Sequence, residues 1–312
     1  QISTPIKGGF FVDCTFGGGG YSKKLLQFSE TKVIGIDRDP NVTSIADKLV
    51  TKYHNRFKFY QSKFSQIDQI TNHKADIIVF DLGISSIQLN NLERGFSFKS
   101  NKKLDMTMGL SDLSAEKVVN NLSENQLKLI IKIFGEEKDA SRIAKNIVKA
   151  RLEKRITKVD ELVKIIKKSK KRNFSSKINP STKTFQALRI FVNKEISELI
   201  YGIIQATKIL KPGGKILVVS FHSIEDKIVK FFFSNYSKNK SKPSRYFPEE
   251  KSNDSFLFEK YDKKVIKPSK KEILENNPSR SAKLRYAIRS KNKFTIPTEM
   301  FQKFKKYLDI GA

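Results

Sequence analysis

A glycine-rich segment between two short apolar runs constrains the fold of this chain more than any other feature. Phe10-Phe-Val leads into Asp13-Cys-Thr-Phe-Gly-Gly-Gly-Gly, a helix-like run follows at 23–28, and a second apolar run at 33–36 ends on Asp37. This order predicts strand, glycine turn, helix, strand and acid. Glycine lets the backbone turn tightly and approach a ligand closely, and an acid after the second strand suits a ribose diol. The segment therefore predicts a site for a nucleoside-containing ligand.

The acid in front of the glycines narrows the choice of ligand. Asp13 stands four residues before Gly17, in the acid-x-x-x-Gly-x-Gly form that is typical of S-adenosylmethionine (AdoMet) sites. AdoMet carries a positively charged methionine end in place of a pyrophosphate, and a nearby carboxylate offsets that charge. Asp13 and the Pro212-Gly-Gly turn disfavour a nicotinamide dehydrogenase. A glycine turn without any ligand is disfavoured because strand, acid and second strand fall in register.

Strands and helices alternate along most of the chain. Apolar runs predict strands at 10–14, 32–37, 56–61, 76–82, 215–221, 264–266 and 284–289. The run at 75–82 reads as a central parallel strand, buried on both faces. Helical patterns occupy 111–121, 123–134, 138–155 and 158–168, and a long amphipathic helix is predicted at 184–207. The pattern predicts an α/β fold with a doubly wound sheet, formed by 1–108 and 182–312. A helical insert domain at 109–181, between strands four and five, is expected to recognise the substrate.

The charge of the chain predicts an anionic partner. The net charge is +29, and phosphate contact with counterion release makes a nucleic acid the simplest explanation. Residues 138–177 hold fifteen Lys or Arg against four Asp or Glu, which is typical either of an RNA- or DNA-facing surface or of solvated helix faces. An excess of lysine is also typical of a biased genome. An anionic membrane surface is the lesser alternative.

Several classes of protein are disfavoured by what the sequence contains. One cysteine and three scattered histidines do not form a metal-binding pattern, so no metal is expected. No apolar run reaches the roughly 18 residues that a membrane span needs, and no signal peptide is visible. A cytoplasmic location is expected.

Asp81 is the leading candidate for a catalytic residue. It closes the predicted fourth strand, whose carboxyl end lies at the ligand edge of such a sheet. An exocyclic amine of cytosine or adenine is a poor nucleophile because its lone pair is delocalised into the ring. An acceptor for one N–H would help the nitrogen offer that lone pair to a sulfonium methyl, and positioning would supply most of the acceleration. The alternative is that Asp81 only organises the loop or contacts AdoMet.

The blocks that follow Asp81 carry a family resemblance. Asp81-Leu-Gly-Ile-Ser-Ser-Ile-Gln88, Glu93-Arg-Gly-Phe and Leu104-Asp-Met are followed by similar blocks at 184–193, 220–226 and 277–285. Over nearly its whole length the chain resembles the bacterial small-subunit ribosomal RNA cytosine-N4 methyltransferases, the RsmH/MraW family. The resemblance implies a class I AdoMet-dependent methyltransferase fold, Rossmann-like with a mostly parallel seven-stranded sheet. It also implies methylation of N4 of a cytidine in the decoding region of small-subunit ribosomal RNA.

The resemblance also implies site residues and partners. The AdoMet ligands it implies are Gly19, Gly20, Tyr21, Asp37, Phe64, Asp81 and Gln88, and the substrate-side candidates are Arg94, Asp105 and His222. Tyr21 stands where many family members have His, and Thr107 where many have Arg. The expected partner is the ribosomal RNA or the assembled small subunit, with no membrane; homodimerisation stays open. The alternatives are a related methyltransferase acting on DNA or protein, or a non-catalytic RNA-binding assembly factor. The ending Asp81-Leu-Gly-Ile lacks the prolines and aromatic residue typical of DNA amine methyltransferases.

Overall fold

A seven-stranded sheet organises the chain. The computed structural model describes residues 8–170, 179–238 and 256–311. The strands are β1 (Phe10–Asp13), β2 (Lys32–Asp37), β3 (Phe57–Gln61), β4 (Ala75–Asp81), β5 (Leu210–Ser220), β6 (Phe258–Tyr261) and β7 (Lys283–Arg289). Their order in the sheet is β3-β2-β1-β4-β5-β7-β6. The first five run parallel, and β7 is antiparallel to both its neighbours. The predicted doubly wound, mostly parallel sheet is confirmed.

Helices fill the connections between the strands. In chain order they are α1 (Gly20–Leu25), α2 (Thr43–Tyr53), α3 (Ile67–Ile70), α4 (Ser86–Asn90), α5 (Ala115–Asn121), α6 (Glu124–Gly135), α7 (Ala140–Glu153), α8 (Val159–Ser169), α9 (Thr182–Val192), α10 (Glu195–Ile209), α11 (Ser223–Asn235), α12 (Lys270–Glu275), α13 (Thr298–Lys303) and α14 (Lys305–Gly311). Within the residues described above, no helix is both long and apolar enough to cross a bilayer.

The chain divides into two compact units. The first comprises 1–83 and 198–304 and the second 84–197 and 305–312. The first unit contains the sheet, in which β1 and β4 are central strands whose faces are covered by helices, as in parallel sheets generally. The side chains of Val12, Ile78 and Phe80 have no exposed surface. The predicted division at 108/109 and 181/182 places the boundaries differently and stays a prediction.

The second unit is helical and has its own apolar core. Leu127, Ile143 and Leu162 are fully buried in one cluster with side chains from several other helices. Ser123 caps α6 by accepting a hydrogen bond from the backbone N–H of Gln126, as a serine before a helix predicts. The cluster stabilises this unit because apolar burial contributes roughly 25 cal/mol per Å².

The long helix predicted at 184–207 is wrong in one respect, because two helices occupy this segment. Helix α9 ends at Val192 and α10 begins at Glu195. Between them Lys194 has a φ of 50°, which is the left-handed conformation that ends a helix. The apolar periodicity continues across the break, so the pattern gave no signal of it. Asn193, which is fully buried, marks the position.

We expect Asn193→Ala to destabilise the protein by about 1–3 kcal/mol. The Asn193 amide accepts a hydrogen bond from the Met108 N–H and donates to the carbonyls of Met106 and Arg189, all at 2.8–2.9 Å. Removing it leaves buried backbone groups of the segment around Asp105 without partners. Chemical denaturation would measure the loss. Asn120→Ala is the comparison variant, because the Asn120 amide is partly buried and also links two segments. If Asn193→Ala unfolded at the same denaturant concentration as wild type, the role given to Asn193 would be contradicted.

The predicted strand at 264–266 is also wrong. The strand that pairs with β7 is β6 (Phe258–Tyr261), and Ile266 forms only an isolated bridge to Leu284. Phe258 and Tyr261 are buried, whereas Ile266 is exposed, so burial of aromatic side chains selects the earlier segment. The sequence also predicts a loop at 237–255. Most of this loop, and all of residues 171–177 of the basic segment, lie outside the described residues.

Candidate functional site

The glycine loop leaves β1 at the carboxyl edge of the sheet. Gly17 and Gly19 both have positive φ values, 49° and 73°, so the predicted need for glycine is met at two positions. The Gly19 N–H donates to the Phe16 carbonyl at 2.7 Å, and Lys23 N–H donates to the Gly19 carbonyl at 2.8 Å. The loop thus closes a tight turn that runs directly into α1.

Phe16 fixes this loop on the sheet. Its ring is 2% exposed and lies 5.2 Å from the ring of Phe59 between centroids. A Cβ added at Gly19 would come within 2.9 Å of the Phe16 ring, and one added at Gly35 would do the same. The two glycines therefore make room for one aromatic side chain beneath the loop.

Asp13 supports the loop from inside the protein. It has no exposed surface, and its carboxylate accepts a hydrogen bond from the Ser22 hydroxyl at 2.7 Å. Burial raises the pKa of Asp13 to about 6, against the lowering effect of the Ser22 and Thr15 hydrogen bonds. Because the carboxylate is enclosed, its effect on any ligand in the loop acts through the electric field and through the position of the loop.

Asp37 connects the end of β2 to the same loop. One carboxylate oxygen accepts the Gly17 N–H at 2.8 Å, and the other accepts the Asp39 N–H at 2.9 Å. Burial raises the pKa of Asp37 despite these two bonds. Each oxygen keeps a lone pair, so the carboxylate can still accept from a hydroxyl. The predicted role toward a ribose diol stays a prediction.

Asp81 lies at the end of β4, beside the start of the loop. Its backbone N–H donates to the Thr15 hydroxyl at 2.7 Å. Its Oδ1 atom is buried and has no hydrogen-bond partner within the part of the chain that the structure describes. Burial, together with the charges of Asp13 and Glu225, raises the pKa of Asp81 to about 7. A buried acceptor without a donor is costly, and such atoms occur at functional sites.

The raised pKa values predict a stability that falls as pH rises. A carboxyl whose pKa is higher in the folded than in the unfolded state, near 3.9, favours folding only while it is protonated. Asp13 and Asp81 titrate near 6 and 7 in the folded protein, so they lower the free energy of unfolding between about pH 4 and 7. The free energy of unfolding of Asp81→Asn, relative to that of wild type, should rise by at least about 1 kcal/mol between pH 5 and pH 8. Urea unfolding of the unliganded protein at both pH values measures this; a constant difference would contradict it.

Two aromatic side chains complete the predicted site in the first unit. Tyr21 follows the loop on α1 and is 41% exposed; burial of its hydroxyl and the charges of Asp81 and Asp13 raise its pKa. Phe64 follows β3, is partly buried, and meets Phe80 edge-to-face with 5.3 Å between centroids. The Phe64 ring lies against α10, where a Cβ added at Gly202 would come within 2.5 Å of the ring.

The arrangement fits AdoMet. A Cβ added at Gly18 or Gly20 would meet nothing within 4 Å, so the loop presents open backbone on which a ligand can lie. The carboxylates of Asp37 and Asp81 stand at the ends of strands on either side of the loop, as acceptors for hydroxyl and ammonium groups. The Oδ1 atom of Asp81 supplies an acceptor that no group among the described residues uses. Gly19, Gly20, Tyr21, Asp37, Phe64 and Asp81 thus lie on one edge of one unit.

The other predicted residues occupy different settings. Gln88 belongs to the second unit, is 5% exposed, and pairs with Ser85 in a capping box at the start of α4. Arg94 donates to the Thr107 carbonyl at 2.7 Å and stacks over Phe96. Asp105 accepts from the Thr107 hydroxyl at 2.8 Å. Both contacts lie within the second unit.

His222 caps a helix in the first unit. Its Nδ1 accepts the Glu225 N–H at 3.4 Å, while Glu225 accepts the backbone N–H groups of Phe221 and His222. The imidazole side chain is only 9% exposed. This reciprocal capping gives His222 a structural role at the start of α11, next to the end of β5; its role toward a substrate stays a prediction.

Sequence reasoning did not identify three residues that shape the site. Thr15 and Ser22 anchor Asp81 and Asp13, and Gly202 admits the ring of Phe64. The position of Thr15, two residues after Asp13 and before the glycines, was a usable signal. Gly202 gave no usable sequence signal, because an isolated glycine inside a helix has several explanations.

The chain is similar in sequence to known proteins over most of its length. The model of the MraW methylase family matches residues 2–290. The Ribosomal RNA small subunit methyltransferase H of Ehrlichia canis is 42% identical over 294 residues, covering 93% of this chain and 96% of the relative. The protein of the same name from Bartonella bacilliformis is 43% identical over 287 residues, covering 92% and 86%. Among solved structures, an rRNA methylase from Streptococcus thermophilus aligns over 91% of this chain and 87% of its own, with a TM-score of 0.40 and 8% identity.

Proposed function

The chain belongs to the MraW methylase family, and from that premise we propose that it methylates the exocyclic N4 amine of a cytidine in the decoding region of small-subunit ribosomal RNA. AdoMet-dependent methylation of small-subunit ribosomal RNA follows from the family and from the names of its close relatives. The atom and the position are the finer part of the proposal. A ribosomal RNA enzyme works where ribosomes are assembled, which supports the predicted cytoplasmic location.

The observation that carries the proposal is the carboxylate oxygen of Asp81 that has no hydrogen-bond partner in the described ranges 8–170, 179–238 and 256–311. It is a buried acceptor at the end of β4, beside a loop that fits AdoMet. An exocyclic amine offers two N–H donors, of which one can bond this oxygen. A donor from the substrate would remove the cost of leaving the oxygen without a partner, so binding energy would be gained where the chemistry occurs.

The titration of Asp81 suits the reaction. AdoMet, when bound, supplies an electrophilic methyl group on a positively charged sulfur. As a carboxylate, Asp81 would accept a hydrogen bond from one N–H and so orient the nitrogen lone pair. When the nitrogen gains the methyl group, the nitrogen must lose one proton. Asp81 can accept this proton and pass it to water. A group that titrates near 7 serves both steps near neutral pH. Gly19, Gly20, Tyr21, Asp37 and Phe64 would hold AdoMet. The role of Gln88 as an AdoMet ligand stays a prediction.

The single cysteine supports the amine over the ring carbon as the methylated atom. Methylation at C5 of cytosine requires a nucleophile that first adds to the ring, and a thiolate is the usual group for such a step. The chain contains one cysteine, Cys14, which is 1% exposed. Burial and the charge of Asp13 raise its pKa, so it is neither accessible nor ionised. N4 needs no such nucleophile.

The basic second unit supports RNA as the substrate. In the described part of 138–177, five basic side chains form ion pairs with acids. Others, including Lys145 and Lys149, have no such partner in that part, and Lys145 is exposed on α7. Arg94, Asp105 and His222 are proposed on the substrate side.

Methyl mapping on RNA tests the proposal. Full-length protein, labelled AdoMet and either naked small-subunit ribosomal RNA or purified small subunits would be incubated, and nuclease fragments identified by mass. One labelled cytidine in the decoding region is the expected result. Label on protein or on DNA, or no label on either RNA substrate, would overturn it. Using both RNA forms separates a wrong substrate class from a requirement for the assembled subunit.

A further inference from the structure

A cavity of about 660 Å³ lies in the first unit, at the amino ends of the strands. Its lining includes Phe10 at the start of β1, Lys32 at the start of β2, and Lys58 near the start of β3. The glycine loop leaves the opposite end of β1, about 13 Å away along a four-residue strand. The cavity extends along β3 as far as Tyr60, but none of the proposed AdoMet residues lines it, so it is separate from the proposed AdoMet site.

The cavity exists because one face of the sheet is thinly covered. Phe10 pairs with Lys32 and Ile34 with Lys58 in neighbouring strands, so these side chains, with Tyr60 two residues on, share one face. The connection from β3 to β4 contains a 3-10 turn at Phe64–Gln66 and one α-helix, α3, which is four residues long, or about 6 Å. The corresponding connection from β2 to β3 contains the eleven residues of α2. A four-residue helix cannot cover the face, and apolar and aromatic side chains remain as an open floor.

The rim of this cavity is strongly basic. Among the described residues, five Lys or Arg side chains line it and no acidic side chain does: Lys32, Arg56, Lys58, Lys74 and Lys211. Asp76 neutralises only Lys211, at 2.8 Å. Lys74 and Arg56 donate to backbone carbonyls and form no ion pair with an acid that the structure describes. Lys32 and Lys58 are exposed and make no ion pair within the described residues.

We propose that this cavity binds an unpaired nucleotide of the substrate RNA, with phosphates at the basic rim and the base against Tyr60 and Phe10. The inference rests on the proposed function for its choice of RNA as the anionic partner. Basic side chains beside aromatic ones are the combination that holds single-stranded nucleic acid, since phosphates bind the cations and bases stack on rings. The volume lies within the range of ligand sites. The RNA would then contact the enzyme at both edges of the sheet.

The first experiment measures binding of fluorescent small-subunit ribosomal RNA to the full-length protein across a range of salt. Lys32→Glu/Lys58→Glu should bind at least about 10-fold more weakly at low salt, with a salt slope smaller by about 2. The control is Lys291→Glu/Lys293→Glu, an exposed pair just beyond β7 that lies outside the cavity and changes the charge equally. Equal effects of the two double variants would overturn the proposal.

The second experiment tests the floor. Tyr60→Leu should weaken RNA binding by about 5-fold or more without changing the salt slope, and Tyr60→Phe should retain affinity because the ring remains. Equal affinity of all three proteins would overturn the placement of a base. Displacement of the RNA by micromolar cytidine monophosphate would overturn RNA as the occupant, in favour of a free nucleotide.

These outcomes are distinguishable from failure of the proposed function. AdoMet affinity should be the same in Lys32→Glu/Lys58→Glu and wild type, because neither lysine belongs to the loop edge. If wild type binds ribosomal RNA through this cavity but labels no RNA, the proposed reaction fails and the cavity assignment stands. If wild type labels the RNA and the cavity variants bind normally, the cavity assignment alone fails.

Discussion

Asp81→Ala should lower the rate of methyl transfer at saturating AdoMet by at least about 100-fold, the scale of a lost proton acceptor. The reason is that the variant removes the buried Oδ1, the acceptor at the end of β4 that has no partner among the described residues. AdoMet affinity should change by about 10-fold or less, since Gly19, Gly20, Tyr21, Asp37 and Phe64 remain. A single-turnover assay with labelled AdoMet separates the two quantities.

Asp47→Asn is the matched control for the change in charge. Asp47 is an exposed acid on α2 in the same unit, so this variant should transfer methyl groups at the wild-type rate. In wild type, kcat/KM for AdoMet should rise with pH through about 7 and then level off, because it reports the free enzyme, in which burial holds the pKa of Asp81 near 7 and the carboxylate form is the acceptor. An Asp81→Ala enzyme with a normal rate would contradict the role assigned to this residue.

Gly19→Ala should reduce AdoMet affinity by at least about 10-fold and stability by about 2 kcal/mol. The φ of 73° at Gly19 costs an L-residue about 1–2 kcal/mol, and the added Cβ would come within 2.9 Å of the Phe16 ring. Phe16 anchors the loop, so its displacement moves the backbone on which the ligand lies. Equilibrium dialysis with labelled AdoMet and urea unfolding measure the two effects.

Gly18→Ala is the control for the loop. An added Cβ there meets nothing within 4 Å, so stability should stay within about 0.5 kcal/mol of wild type, whatever happens to AdoMet binding. Gly19→Ala combined with Phe16→Leu should recover part of the stability that Gly19→Ala loses, because the smaller side chain relieves the contact. Equal destabilisation by Gly18→Ala and Gly19→Ala would show that neither the conformation nor the contact with Phe16 matters.

Much of the first unit could be predicted because its signals are local. The apolar runs that became β1, β2 and β4 are short and end on acids, and the glycines fall between the first two. A fully buried parallel strand has few alternatives in such a sequence. The loop and the positions of Asp37 and Asp81 followed from the order of these elements.

The features that could not be predicted depend on contacts between distant parts of the chain. The helix break at Lys194 follows from hydrogen bonds of Asn193 to Met106 and Met108, more than eighty residues earlier. Phe258, rather than Ile266, joins the sheet because its ring packs on Phe232 and Phe233. The sequence suggests that the Asp13 carboxylate faces the ligand, whereas in the structure it is buried, accepts a hydrogen bond from Ser22 and supports the loop. No periodicity in the sequence records such pairings.

Identification of the methylated atom tests the central claim most directly. Ribosomal RNA labelled by the wild-type enzyme would be digested to nucleosides and compared by chromatography and mass spectrometry with the isomeric N4-, C5- and 2′-O-methylcytidines. The account, in which Asp81 accepts a hydrogen bond from an exocyclic amine and Cys14 is buried, predicts N4-methylcytidine, and no product from Asp81→Ala. Methylation at C5 or at the ribose, or N4-methylcytidine formed at the normal rate by Asp81→Ala, would contradict it.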